Sequence, residues 1–307
     1  MEPFPRTQPT SSPWRIVIFT NIQDGIVYRM LADPVRSLGH KIVAVVTTPG
    51  PPKRRDSAYL SVVEALPPEV EMLVTNRPSL WASIVRTWNP DLIIVGGFPW
   101  RIPAEVIEIP RLGTINIHPA LLPRHRGPHS FENVLRAGDA ETGFTIHRMA
   151  AEFDTGNILS QVRVPIEDDD DVDALLTKLG PLTPKLILDA LERIARGDEG
   201  EPQDESLATY APKPEPEWRF IDWNRPARTV HNQVRTWTGV RYMEKGAFGM
   251  VDDKRFLILR TRLLSPPDRR PLAAPGTVLE RDSDRIVVQC GDGPIALIEW
   301  NPVISFE

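Results

Sequence analysis

Along the first two thirds of the chain, short unbroken apolar runs alternate with longer stretches in which apolar residues return every three or four positions. WRIVIFT (Trp14–Thr20) is the first run; Val27, Met30, Leu31, Val35 and Leu38 follow at helical spacing, and KIVAVVTT (Lys41–Thr48) is the second run. The same order continues through EMLVT (71–75), a helical stretch from Leu80 to Trp88, DLIIVGG (91–97) and GTINIH (113–118). Strands that are apolar at every position, rather than at alternate ones, are buried on both faces. The pattern therefore predicts an α/β fold, a Rossmann-like, mostly parallel sheet covered by helices. GFTIHRM (143–149) and ILSQVRVPI (158–166) read as two further strands, antiparallel or at an edge.

VDALLTKLGPLTPKLILDALERIARG (172–197) has helical spacing, and the acidic run before it, Glu167–Asp171, reads as a solvated helix start that offsets the positive end of the macrodipole. A proline- and acid-rich linker, GDEGEPQDES (197–206), then changes the character of the chain. From about residue 225 a short helical stretch, ARTVHNQVRTW, precedes short strands, RFLILRTRLL and RIVVQCGDGPIALIEW, with Asp292-Gly293 as a tight-turn pair. The predicted organisation is a disordered lead-in over 1–13, a catalytic domain over 14–196, a linker over 197–220 and a smaller C-terminal β-barrel-like, OB-like domain over 221–307. A length of 307 residues fits roughly two domains.

Composition narrows the function classes. With 41% apolar and 25% charged residues the chain is an ordinary globular protein, and a net charge of -5 argues against wholesale coating of nucleic acid. Cys290 is the single cysteine, which excludes an intrachain disulfide and a multi-cysteine zinc site and fits a reducing compartment. The lead-in lacks the apolar core of a secretory signal, and no run is long enough to span a bilayer. A cytoplasmic protein is expected.

Candidate chemistry gathers after the later strands. The turn after the first strand, TNIQDGIV, holds one glycine, so the glycine-rich pyrophosphate cradle of a dinucleotide enzyme is missing. In TINIHPALLPRHRGPH (114–129), Asn116 and His118 alternate with Ile117 and share one face of a strand end. Asp154, in EFDTGNIL, adds a carboxylate. An amide donor, an imidazole and a carboxylate are what acyl transfer to nitrogen needs: a partner for the oxyanion and a handler for the amine proton. Each also has a plain structural reading, as a satisfied strand-end histidine, a backbone-bonding asparagine and a turn aspartate. His118, His125 and His129 do not have the spacing of a helical zinc site, so no metal is expected, and His147 reads as a strand residue.

RLGTINIHPALLPRHRG followed by AGDAETGFTIHRMAAEFDTGNILSQVRVPI resembles the signature of the formyltetrahydrofolate-dependent formyltransferases. HKIVAVVTTPGPPKRR, YAPK, IDWNRPARTVHNQVR and PGTVL fall in the order of the same family, so the resemblance covers nearly the whole chain after the lead-in. It implies the formyltransferase fold, Asn116, His118 and Asp154 as the catalytic trio, and 10-formyltetrahydrofolate as the co-substrate that leaves as tetrahydrofolate. It also implies a folate pocket formed by Gly97, Phe98, Pro99 and Ile102, by Ala120, Leu121, Leu122 and Pro123, and by Ala151, Glu152 and Phe153. Lys53, Arg54, Arg55 and Arg126 are the implied acceptor contacts. The acceptor amine is either methionyl-tRNA or a small molecule such as an amino sugar or amino acid; a formyltetrahydrofolate hydrolase and a catalytically silent folate-binding module are the alternatives.

Three departures bear on the acceptor. PHSFENVLRAGD is shorter than the family's usual segment, and the chain stops at EWNPVISFE without the lysine- and arginine-containing tail of the tRNA-directed members. From Glu205 onward, 15 Lys and Arg stand against 14 Asp and Glu, a difference of one.

Overall fold

A computed structural model describes residues 12–21, 25–48, 60–238, 245–264 and 273–303. The elements run β1 (Arg15–Thr20), α1 (Gly25–Ser37), β2 (Lys41–Thr47), α2 (Leu60–Ala65), β3 (Glu71–Val74), α3 (Trp81–Trp88), β4 (Leu92–Gly96), α4 (Ala104–Ile107) and β5 (Thr114–His118). They continue with α5 (Ser130–Ala137), β6 (Glu141–Arg148), β7 (Ile158–Pro165), α6 (Val172–Leu179) and α7 (Thr183–Ala195). One sheet has the order β3-β2-β1-β4-β5-β6-β7. Its first five strands are parallel, and β6 runs antiparallel to β5. Successive strands step outward from β1 to β3 and then restart on the other side at β4, and the carboxyl ends beside such a reversal are where open α/β sheets bind ligands.

The described chain forms two compact units. Residues up to Gly127, Gly143–Arg163 and Leu179–Tyr210 make the first; Pro128–Thr142, Val164–Lys178 and Ala211 onward make the second. Most of the proline- and acid-rich segment groups with the first unit, because its polar backbone is hydrogen-bonded to strand β7 rather than solvated: Ile158 and Glu201 exchange N–H to carbonyl bonds of 2.8 and 2.9 Å.

In the first unit the central strands are sealed on both faces; Ile16, Val17, Ile18 and Phe19 have no exposed surface, nor do Leu92, Ile93 and Ile94. Phe19, Trp81 and Phe98 form an edge-to-face trio with centroids 5.2 to 5.9 Å apart, which anchors the loop after β4 to the core. Phe19→Ala leaves a cavity beneath that loop, and urea unfolding of the full chain is expected to show a loss of about 3–5 kcal/mol.

The long helical stretch over 172–197 is two helices. Gly180 and Pro181 open a 3-10 turn, Gly180–Leu182, that ends α6 and starts α7, since proline removes an intrahelical donor and is tolerated only in a first turn. The acidic run before it is not simply solvated. Asp170 is buried and accepts from Lys178 Nζ at 2.5 Å and from the Glu167 N–H at 2.7 Å, while Asp171 caps α6 through the Ala174 N–H at 2.9 Å.

The second unit packs α8 (Ala227–Thr236) on an antiparallel sheet of β8 (Ala247–Val251), β9 (Lys254–Leu263), β10 (Val278–Arg281), β11 (Ile286–Gln289) and β12 (Pro294–Pro302), in the order β10-β11-β12-β9-β8. Register shifts between β12 and β9 at Leu297 to Trp300 curve the sheet, so that Val230, Val234 and Trp237 close on Ile258, Ile286 and Ile295. Among the described residues β8 and β10 remain its edges. The Asp292-Gly293 turn also serves α8, since Asp292 Oδ1 accepts the Ala227 N–H at 2.7 Å in the first turn of that helix. Burial pushes the Cys290 thiol up to about 12, so it is a thiol in the core and no nucleophile.

Candidate active site

The geometry follows from strand register. Asn116 in β5 lies opposite His147 in β6, and His118 opposite Thr145; residues paired across an antiparallel ladder project from the same face. All four side chains thus stand on one side of the sheet where β5 ends. Asn116 Nδ2 donates to His147 Nε2 at 3.2 Å, and His147 Nδ1–H donates to the Arg148 carbonyl at 2.8 Å. Thr145 Oγ1 donates to the Ala120 carbonyl at 2.7 Å and accepts the Leu122 N–H at 3.2 Å, fixing the chain as it leaves β5.

Asp154 arrives from the loop between β6 and β7. One carboxylate oxygen lies 3.4 Å from His118 Nδ1 and the other 3.4 Å from His147 Nε2. The Gly127 N–H donates to the first of these oxygens at 2.7 Å. His118 Nε2–H donates to the His125 carbonyl at 2.8 Å. The loop that carries Asp154 is tight: a Cβ on Gly156 would lie 1.9 Å from the Arg148 carbonyl oxygen, so only glycine fits there.

Protonation follows from these contacts. Burial alone would push the Asp154 carboxyl up, but its contacts with His147 and His118 and the Gly127 N–H outweigh it and hold the group at about 2. His118 moves the other way. Burial pulls it below the ordinary histidine value of 6.5, opposed by the Asp154 charge and the His125 carbonyl. Both of its ring contacts are favourable only when each nitrogen carries hydrogen, yet burial disfavours the imidazolium. The ring is neutral at neutral pH, with Nε2–H bonded to the His125 carbonyl and the unprotonated Nδ1 facing the Asp154 carboxylate.

The residues of the implied folate pocket divide by exposure. Gly97, Pro99, Ala151, Glu152 and Phe153 are exposed, Phe98 and Leu121 half-buried, and Ile102, Ala120 and Leu122 buried. Leu122 has both backbone groups engaged, its carbonyl accepting from Gln161 Nε2 at 2.8 Å, so it can offer a ligand shape only. Arg101 ties two of the loops together: Nη2 donates to the Ala151 carbonyl at 2.9 Å, and the guanidinium sits 5.5 Å from the Phe153 ring centroid. A cavity of about 500 Å³ opens there, with Arg101, Phe153, Thr209 and Tyr210 in its wall. Arg126 also borders it, but its guanidinium is bound to Gln203 and Glu205. Lys53, Arg54 and Arg55 lie outside the described residues. Of the other histidines, His125 is buried and donates its N–H to Thr209 Oγ1 at 2.9 Å, and His129 Nδ1 faces Glu132 Oε1 at 3.4 Å.

Gly127, Gln203 and Arg101 take part in the site's framework without being singled out in the sequence, and so does His147, which the sequence reads only as a strand residue. Only His147 leaves a usable signal, because the register of GFTIHRM against TINIH sets it opposite Asn116.

The end of β5 thus presents an amide, a neutral imidazole and an ionised carboxylate around one point, a set able to handle a proton during transfer of a group to nitrogen. The formyl transferase model matches residues 15–191, and the formyl transferase C-terminal domain model matches residues 213–302. A methionyl-tRNA formyltransferase of Citrifermentans bemidjiense is 36% identical over 273 residues, covering 85% of this chain and 81% of the relative, and one of Pseudomonas paraeruginosa is 35% identical over 264 residues, covering 84% and 82%. The chain belongs to the formyl transferase family. Among solved structures, HypX from Aquifex aeolicus in complex with tetrahydrofolic acid has a TM-score of 0.63 at 22% identity, covering 95% of this chain, which spans 45% of that one. An N-formyltransferase from Helicobacter canadensis with folinic acid and dTDP-3-aminofucose has a TM-score of 0.67 at 15% identity, covering 94% of this chain and 99% of that one. At those identities the two structures share the fold. No helix among the described residues is long and apolar enough to cross a membrane.

Proposed function

We propose that this protein transfers the formyl group of 10-formyltetrahydrofolate to the α-amino group of methionyl-tRNA. The observation that carries the reading is the convergence of Asn116, His118 and Asp154 at the end of β5, beside loops with exposed apolar and backbone surface suited to a flat pterin. The amine nitrogen attacks the formyl carbon, and the carbonyl oxygen takes up negative charge, stabilised by Asn116 Nδ2 and by the positive charge that His118 gains as its Nδ1 takes the amine proton. The carbon–N10 bond then breaks. The proton lost by the amine passes through His118 to the departing N10, giving an N-formyl amine and tetrahydrofolate. Asp154 provides the counter-charge for the imidazolium formed on the way. Gly97–Ile102, Ala120–Pro123 and Ala151–Phe153 are the folate-facing segments.

The acceptor is supported by the names of the relatives, which match this chain over more than four fifths of their length. A surface of the second unit is consistent with RNA. Phe220 and Phe248 are stacked at 5.4 Å, Arg255 lies 4.5 Å from the Phe248 ring and 4.9 Å from Phe220, and Arg219 lies 4.7 Å from Phe248. An exposed ring stacked on a half-buried one and flanked by guanidinium groups suits bases and phosphates together, although the net charge of this region is near zero. Phe220 is 51% exposed. Phe220→Ala is expected to raise KM for methionyl-tRNA roughly tenfold with kcat little changed, read from initial rates at fixed salt.

The deciding experiment incubates the protein and 10-formyltetrahydrofolate with charged initiator tRNA and, separately, with amino sugars and amino acids. Formylmethionyl-tRNA is the expected product. Reaction with a small amine alone would move the acceptor to that class, formate release without any amine would indicate a hydrolase, and folate binding with no turnover a silent module.

A further inference from the structure

The segment between α7 and the second unit is acid-rich and has the composition of a linker, yet it is bonded along its length to the two loops that frame the candidate active site. Gln203 is the centre of this arrangement. Its Nε2 donates to the carbonyls of Asp154 at 2.7 Å and Gly156 at 2.8 Å, using both amide hydrogens on the loop that carries the carboxylate. Its Oε1 accepts from Arg126 Nε at 3.1 Å and Nη2 at 2.8 Å. Arg126 stands between His125, whose carbonyl holds His118, and Gly127, whose N–H holds Asp154. Glu205, on the same segment, closes the other side of the guanidinium with contacts of 2.9 and 2.8 Å. Further on, Thr209 accepts the His125 N–H through Oγ1 and the Arg126 N–H through its carbonyl, both at 2.9 Å.

We infer that Gln203 is a positioning residue for formyl transfer: through Arg126 it clamps the His125–Gly127 loop to the Asp154–Gly156 loop and so sets the His118-to-Asp154 geometry. The inference rests on the proposed catalytic role of that pair. Asp154 adopts a left-handed backbone, φ 57°, and a non-glycine residue there needs its surroundings to hold it. Two donors on the Asp154 and Gly156 carbonyls of the same turn do so. The donors must be neutral amide hydrogens, because a carboxylate at position 203 would face two carbonyls and a methionine would leave them unpaired inside a low-dielectric site. Arg126 is thereby occupied, which moves it from acceptor contact to part of the clamp.

The test compares Gln203→Met with the unaltered chain in formyl transfer, alone and combined with Asp154→Asn. Expected are a fall in kcat of roughly ten- to a hundredfold, little change in KM for the folate, and faster amide exchange in peptides spanning 151–157. On the Asp154→Asn background the same change should cost less than about threefold, because Gln203 acts through the His118-to-Asp154 pairing, which the asparagine already weakens. Full multiplication of the two losses, or an unchanged kcat in folded Gln203→Met, overturns the inference. If Gln203→Met fails to fold, Glu205→Ala at the exposed rim loosens the same guanidinium; a two- to fivefold loss that disappears on the Asp154→Asn background supports the clamp, and no loss refutes it. Amide exchange separates the two levels: faster exchange at 151–157 in a chain that shows no transfer at all would leave the clamp standing and sink the catalytic reading.

Discussion

His118→Ala is expected to lower kcat for formyl transfer by at least about a hundredfold to a thousandfold in protein that is still folded, with a loss of about 1–3 kcal/mol in urea unfolding. The ring is buried between the His125 carbonyl and Asp154, so in the proposed reaction its removal takes away both an oxyanion partner and the relay for the amine proton. Asn116→Ala removes the other donor and should fall in the same range. It carries a second consequence, because Asn116 also donates to His147: part of its loss comes from a His147 ring freed to turn away from Asp154. Single-turnover rates at saturating folate isolate the chemical step. Near-normal turnover in either variant would remove that side chain from the chemistry.

Asp154→Asn is expected to cost about a hundredfold to ten-thousandfold in kcat and to move the acid limb of the pH–rate profile. Asp154, held at about 2, is ionised at every working pH, and its charge raises His118 against burial, which keeps the net value below 6.5. Activity requires neutral His118, so the rate of the unaltered protein should fall as pH drops through a midpoint below 6.5. Asparagine removes the raising charge. The acid limb should therefore shift to still lower pH while the plateau rate drops. Comparing the two proteins with the same acceptor cancels the titration of the amine itself, and a limb that stays in place or moves upward would contradict the assignment.

Much of the first unit is legible in the sequence because buried parallel strands are apolar throughout, and the runs at 14–20, 41–48, 91–97 and 113–118 contain β1, β2, β4 and β5. The break between α6 and α7 is not, since the apolar spacing continues in phase across Gly180-Pro181 and only the proline's missing donor marks the interruption. Asp170 reads as solvated because composition reports the charge but not Lys178, eight residues on. At the site, Asn116 and His118 can be placed together from the period of a strand. Asp154 cannot be placed beside them by spacing, because a loop fixes it, and the family resemblance supplies that residue. Gln203 leaves no trace in any pattern: an acid- and proline-rich stretch looks like solvated linker until its partners are known, and its amide is defined by two carbonyls contributed from almost fifty positions earlier.

The left-handed backbone at Asp154 selects its occupant twice, once for charge and once for conformation. Asparagine and aspartate tolerate that region far better than most side chains. A glutamate there would keep the charge yet disturb the turn, so Asp154→Glu should behave as a folding lesion of the loop rather than as a conservative replacement. The asparagine variant is consequently the clean chemical probe, and among the acidic residues drift at this position has nowhere to go.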